Sequence, residues 1–174
     1  IKSDVEERTM KSVQIGSIVV ALSRIQKKSQ TYADIHPHIR LEDITVKSPL
    51  CEISYEKTVE TGKKLASLQR SVLVKPTDFS TMTSGVSEIT IIIAQEHALK
   101  IQQAFESEPT CVLYDLVGVS VRFDPSYIDI ANSLYSLMYQ LACKRINILE
   151  IVSTYTELTF ILRQPDLPLA LNVL

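Results

Sequence analysis

The 174-residue sequence predicts an α+β fold. Three observations carry the prediction. Val117, Val119, Val121 and Phe123 alternate with Gly118, Ser120 and Arg122, the two-residue period of a half-buried strand. Tyr127, Ile130, Ala131, Leu134, Leu137, Met138 and Leu141 recur three and four apart, which places one apolar stripe on a helix. The sequence also repeats itself at an offset of 69: Ser87–Phe105 aligns with Thr156–Leu174. Glu88, Thr90, Ile92 and Gln95 meet Glu157, Thr159, Ile161 and Gln164 as identities, and Ile89, Ile91, Ile93 and Phe105 meet apolar partners.

Taken in order, Val13–Gln30 reads as an amphipathic helix with Ile15, Ile18, Val19, Leu22 and Ile25 on one side. Ile44–Tyr55 is strand-like, and Pro49 within it requires a bulge or an edge position. Thr58–Gln69 follows as a helix, Val72–Val74 as a short strand, Glu88–Ala94 as a strong strand and His97–Phe105 as a helix. Thr110–Tyr114 can close this set as a fourth strand. The Ile89–Ile93 run is apolar on both faces except at Thr90, so cover is expected on both sides of it. A second set begins at Val117. Asp124 is a good N-cap and Pro125 suits the first helical position, so a helix is expected from there to Leu141, with Lys144 and Arg145 at its C-terminal end. Ile146–Val152 and Thr156–Leu162 read as strands, and Pro165–Leu174 as a short helix. The first set has the order βαββαβ, the split βαβ or ferredoxin-like unit. The second lacks a fourth strand before Leu174: either the chain is truncated or another segment fills that place. The expected organisation is an N-terminal helical segment at 1–40 and tandem units at 41–115 and 116–174. The start at Ile1 also raises the expectation that the N-terminus is cut from a longer protein.

Composition narrows the function classes. No apolar run approaches the roughly 18–20 residues of a membrane helix, and no signal-peptide pattern precedes the first helix, so a cytoplasmic location without membrane partners is expected. Cys51, Cys111 and Cys143 are odd in number and widely spaced, which fits reduced thiols packed as small apolar groups. His36-Pro37-His38 could offer two metal ligands, but His97 is the only other histidine; the triplet reads as a polar linker bend and no metal is expected. Gly16, Gly62, Gly85 and Gly118 stand apart, so no phosphate-cradling glycine loop exists. There is no G-x-S-x-G elbow. No catalytic residue and no cofactor are expected. Residues 1–40 carry a net charge of +3 against −5 for the rest, which marks the first helix either as a DNA-facing segment or as a helix with a solvated basic side.

Ile146–Leu162, INILEIVSTYTELTFIL, resembles the second half of an ACT domain, as in the regulatory region of aspartate kinases. There an I-N-I strand leads through a polar Ser/Thr-rich turn to a strand and a short helix. Val117–Leu174 is similar to that whole unit, and Ile44–Tyr114 to a more divergent copy. The tandem resembles an archaeal group of ACT-domain proteins related to aspartate kinase, in which Ile1–Ile25 looks like the end of an N-terminal helical module. The resemblance implies a non-catalytic regulatory module that binds a small molecule, most often an amino acid, and forms homodimers by ACT-domain association. It places the ligand at the strand-to-helix turn Phe123, Asp124, Ser126, Tyr127 and Ile128. Backbone N–H groups at a helix N-terminus there favour a carboxylate. In an associated pair of units that turn faces a neighbouring strand, where Asn147 and Ile148 complete the pocket; Asp124 or Asp129 would meet the ammonium group. Two departures stand out. Ser126 occupies the region where effector-binding ACT domains carry Gly, and the first copy has Glu56-Lys57-Thr58 at the equivalent turn. Two alternatives stay open: a transcription regulator whose N-terminal module binds DNA, and a dimerisation module without ligand.

Overall fold

The computed structural model describes residues 2–71 and 78–174. Two helices come first, α1 (Lys2–Thr9) and α2 (Ile15–Ile35). The remainder is β1 (Leu41–Glu56), α3 (Val59–Ser71), β2 (Ser80–Ser84), β3 (Glu88–Ala94), α4 (Ala98–Ala104), β4 (Cys111–Phe123), α5 (Ser133–Cys143), β5 (Glu150–Ser153), β6 (Glu157–Arg163) and α6 (Leu167–Val173). The strands form one antiparallel sheet of order β2-β3-β1-β4-β6-β5. The expected α+β, ferredoxin-like architecture is present. The repeat holds at the level of elements: β6, the 3-10 turn after it and α6 each begin and end 69 residues after β3, its 3-10 turn and α4.

The register of β1 against β4 explains how the second unit is completed. Leu50–Ser54 pairs with Leu116–Cys111, whereas Leu41–Lys47 pairs with Phe123–Gly118. The first half of β1 therefore lies beside the second half of β4, in the place of a fourth strand for the unit β4-α5-β5-β6-α6. Each long strand serves one unit with each half. Both are bulged where they change allegiance, β1 between Lys47 and Leu50 and β4 between Leu113 and Leu116. Ser48–Pro49 is a cis peptide, and Asp115 has a φ of 55°. A bulge inserts an unpaired residue and bends the strand, so the Pro49 bulge expected from sequence is where the sheet turns from one unit to the other. Gly118 lies beside this seam; a Cβ there would come within 3.1 Å of the Leu50 side chain.

Alternation of side chains sorts the sheet into two faces. On one, Ile53, Tyr55, Ile89, Ile91 and Ile93 pack under α3 and α4, with the Tyr55 and Phe105 rings stacked at 4.0 Å. On the same face Val117, Val119, Val121, Leu158, Phe160 and Leu162 pack under α5 and α6. Leu50, Ile92, Leu116 and Ile161 gather on the opposite face across the seam, against Phe79, Leu113, Leu149 and Val152. The second face of the Ile89–Ile93 run is thus covered through Ile92, from within the same chain.

Several expectations need correction. The short strand at Val72–Val74 lies outside the described residues, and the edge strand is Ser80–Ser84. Thr110–Tyr114 and Val117–Phe123 are parts of one strand, because a bulge interrupts the alternation without ending the ladder. The second-unit strand is Glu150–Ser153 rather than Ile146–Val152; Arg145 (φ 58°) ends α5, and the Ile146 amide bonds back to Leu141 O. Of the cysteines, Cys51 is buried in the first core, whereas Cys111 and Cys143 are exposed. No helix among the described residues is long and apolar enough to cross a membrane.

Candidate functional site

β4 runs from the seam to Phe123, whose ring is buried in the second core and meets Tyr127 edge-on at 6.4 Å. The chain then turns at Asp124, an extended N-cap (φ −61°, ψ 139°), into a 3-10 turn over Pro125–Asp129. The Asp124 carboxylate accepts from the Ser126 amide at 2.9 Å and from the Ser126 hydroxyl at 2.5 Å. These two bonds hold its carboxyl below the usual carboxylate range, with only slight opposition from burial. Asp124 is therefore engaged within its own turn.

The long helix expected from Asp124 is broken. Ile130 is extended and Asn132 takes the left-handed conformation (φ 66°), which an asparagine tolerates. The Ser133 hydroxyl fastens the break by donating to Ile130 O at 2.8 Å and to Tyr127 O at 3.1 Å. The apolar stripe divides there. Leu137 and Leu141 enter the core, while Ile128, Ile130 and Leu134 turn outward and are exposed. They border an open cavity of about 360 Å³ that Phe123, Tyr127 and Tyr135 also line. Its far wall is the β5–β6 turn, Ser153, Thr154 and Tyr155. Among the described residues no lysine, arginine, aspartate or glutamate lines this cavity. Tyr127 also borders a second cavity, of about 690 Å³, with Arg40, Leu41, Glu42, Asp124 and Ser126.

Phe123, Asp124, Ser126, Tyr127 and Ile128 are thus gathered at one end of β4. Asn147 and Ile148 are elsewhere. They precede β5, whose Glu150 pairs with Ile161 and through it lies level with Gly118 near the seam. Asn147 is exposed and Ile148 packs half-buried against the second core. Strand direction explains the separation. β4 and β5 both run toward the Phe123 end, so the start of β5 is at the other end and its finish, Ser153–Tyr155, is beside the turn. Ser153 and Thr154, read from sequence as turn and strand residues, border the cavity for this reason. Up-and-down order alone carries that signal. Asp129 closes the 3-10 turn and is exposed.

The first unit closes its equivalent turn differently. Thr58 and Thr61 exchange side-chain bonds at the start of α3: each backbone amide donates to the other's Oγ1, at 2.8 and 3.1 Å. The Thr61 hydroxyl also reaches Glu56 O at 2.8 Å.

No family model matches the chain, and no curated protein matches it. Solved structures share its fold. Aspartate kinase from Clostridium acetobutylicum superposes with a TM-score of 0.62 at 18% identity over 79% of this chain; the chain spans about a third of that protein (35%). The regulatory subunit of aspartate kinase from Thermus thermophilus, in its ligand-free form, gives 0.60 at 13% identity over 77% of this chain and 96% of the other. The corresponding subunit from Thermus flavus gives 0.58 at 11% identity over 76% and 95%. The resemblance to aspartate-kinase regulatory regions therefore holds at the level of fold.

Proposed function

We propose that this chain is a non-catalytic regulatory module that binds a free amino acid with an apolar side chain at the Phe123–Ile128 turn, and that it self-associates. One observation carries the reading: the turn and the β5–β6 hairpin border an open cavity with apolar and aromatic walls and, among the described residues, no charged side chain. A cavity of that size matches a small ligand, and apolar walls with a few hydroxyls are the usual make-up of such sites. The fold shared with aspartate-kinase regulatory subunits supports the regulatory role. The exposed Ile128, Leu134 and Tyr155 at the cavity rim supply an apolar surface for a second copy. Asn147 and Ile148 would reach such a pocket only from that copy, because in one chain they lie near the seam.

Thermal-shift and calorimetric titration of the full chain against the twenty amino acids tests the reading. A bound amino acid at ~100 times its Kd raises stability by roughly 2.7 kcal/mol. Isoleucine, valine, leucine and phenylalanine are expected to act more strongly than lysine or aspartate. An unchanged melting temperature with all twenty at millimolar concentration rejects amino-acid binding. Light scattering with and without the active amino acid reads the self-association.

A further inference from the structure

We infer that His36–Arg40 is a strap that couples the Phe123–Ile128 turn to helix α2, an inference that rests on reading this turn as the ligand site. Three contacts fasten the strap to the second unit. The His36 ring lies against Tyr135 and Tyr139, with centroids at 4.9 and 4.3 Å. The Ser136 hydroxyl donates to Pro37 O at 2.8 Å. The Arg40 amide donates to the Tyr127 hydroxyl at 2.9 Å. The last contact belongs to the turn itself, and it spans 87 residues of sequence. The first two belong to α5 directly after it.

Tyr127 is the coupling element because it stands between two cavities. It lines the one bounded by Ile128, Leu134 and Tyr155, and also the one bounded by Arg40 and Leu41. A ligand filling the first packs on Tyr127, and the position of that ring decides whether its hydroxyl meets Arg40. The first unit shows the contrast. The Thr61 side chain at the equivalent turn makes its described bonds within residues 56–61. The second unit takes its bond from outside the turn, from Arg40, the last residue of the strap before β1. The described side chains of α2 up to Lys27 are exposed apart from half-buried Ile18, and the strap is the stretch that carries the chain from α2 into β1. Coupling of this kind is reciprocal: whatever binding does to the strap, the strap does to binding.

Hydrogen exchange on the full chain tests the strap, with Tyr127→Phe removing the hydroxyl and Ser136→Ala loosening the same segment from α5. Each variant is expected to speed exchange about fivefold, the effect of one lost hydrogen bond, across residues 36–41 and on into α2. Protection in β6 and α6 should stay as in the wild type. Acceleration confined to the Arg40 amide in Tyr127→Phe overturns the strap. An amino acid that binds the wild type while exchange in residues 15–41 stays unchanged overturns it too, and leaves the ligand reading intact. If no amino acid binds but both variants loosen α2, the strap stands and the ligand reading falls.

Discussion

Tyr55 and Asp124 show how differently two polar side chains can be accommodated in one sheet. Tyr55 is wholly buried, and its hydroxyl has no hydrogen-bond partner among the described residues. Burial, aided by the charge of Glu108, pushes the phenol up to about 12. An unpaired buried hydroxyl carries a desolvation cost, so Tyr55→Phe should leave stability unchanged or raise it by about 1 kcal/mol, read as a higher urea midpoint at constant m-value. Asp124 behaves oppositely. Its folded value is depressed by the two bonds from Ser126. Its contribution is therefore complete above the unfolded value of 3.8 and disappears as pH falls through the folded one. Asp124→Ala should melt below the wild type at pH 7, and the gap between the two melting temperatures should close toward pH 2. A gap independent of pH would show that the cap contributes through shape and not through charge. Neither effect can be read from sequence alone: a tyrosine in an alternating strand and an aspartate before proline are each compatible with several environments.

Elements were legible where burial imposes a period. β3 and β6 stand out because their apolar runs are needed on both faces, Ile92 and Ile161 filling the seam while their neighbours fill the helical side. β2 left no such mark. It is an edge strand whose sequence, Ser-Thr-Met-Thr-Ser, sends one large side chain, Met82, to the core. The break before α5 was hidden for the opposite reason. Ile130 and Leu134 keep the helical period, and it is the Ser133 hydroxyl and the left-handed Asn132 that end it. In the candidate site the turn is legible through its Asp-Pro signal, whereas the end of β5 at which Asn147 lies follows from strand direction, which a motif resemblance does not carry. The half-strand Leu41–Lys47 gives this scale its test. A chain beginning at Ser48 removes Ile39, Leu41 and Val46 from the second core. Each is half-buried and worth about 1 kcal/mol, so the loss should reach about 3 kcal/mol. Exchange should show it in β4 from Gly118 to Phe123 while β3 keeps its protection. Equal loss in both halves would mean the units do not differ in their dependence on that segment.

For the whole molecule, the sharing of β1 and β4 means that only the first unit is contiguous, from Leu50 to Leu116, while the second takes one strand from Leu41–Lys47 and the rest from Val117 onward. Residues 116–174 hold three strands and two helices but leave the Val119–Val121 edge of β4 unpaired, since its partner is Leu41–Lys47. Produced alone, that fragment should lack dispersed amide resonances, and adding residues 36–56 as a separate peptide should restore them. The same architecture has a consequence for chain connectivity. Leu174 and Ile39 line one cavity, so the end of α6 already lies beside the approach to β1. Moving residues 41–47 to follow Leu174 would let α6 run directly into the strand that its own unit uses. The molecule is, in this sense, a circular permutant of two plain βαββαβ units placed end to end, and the rearranged chain should rebuild the same sheet with β4 alone still serving both units.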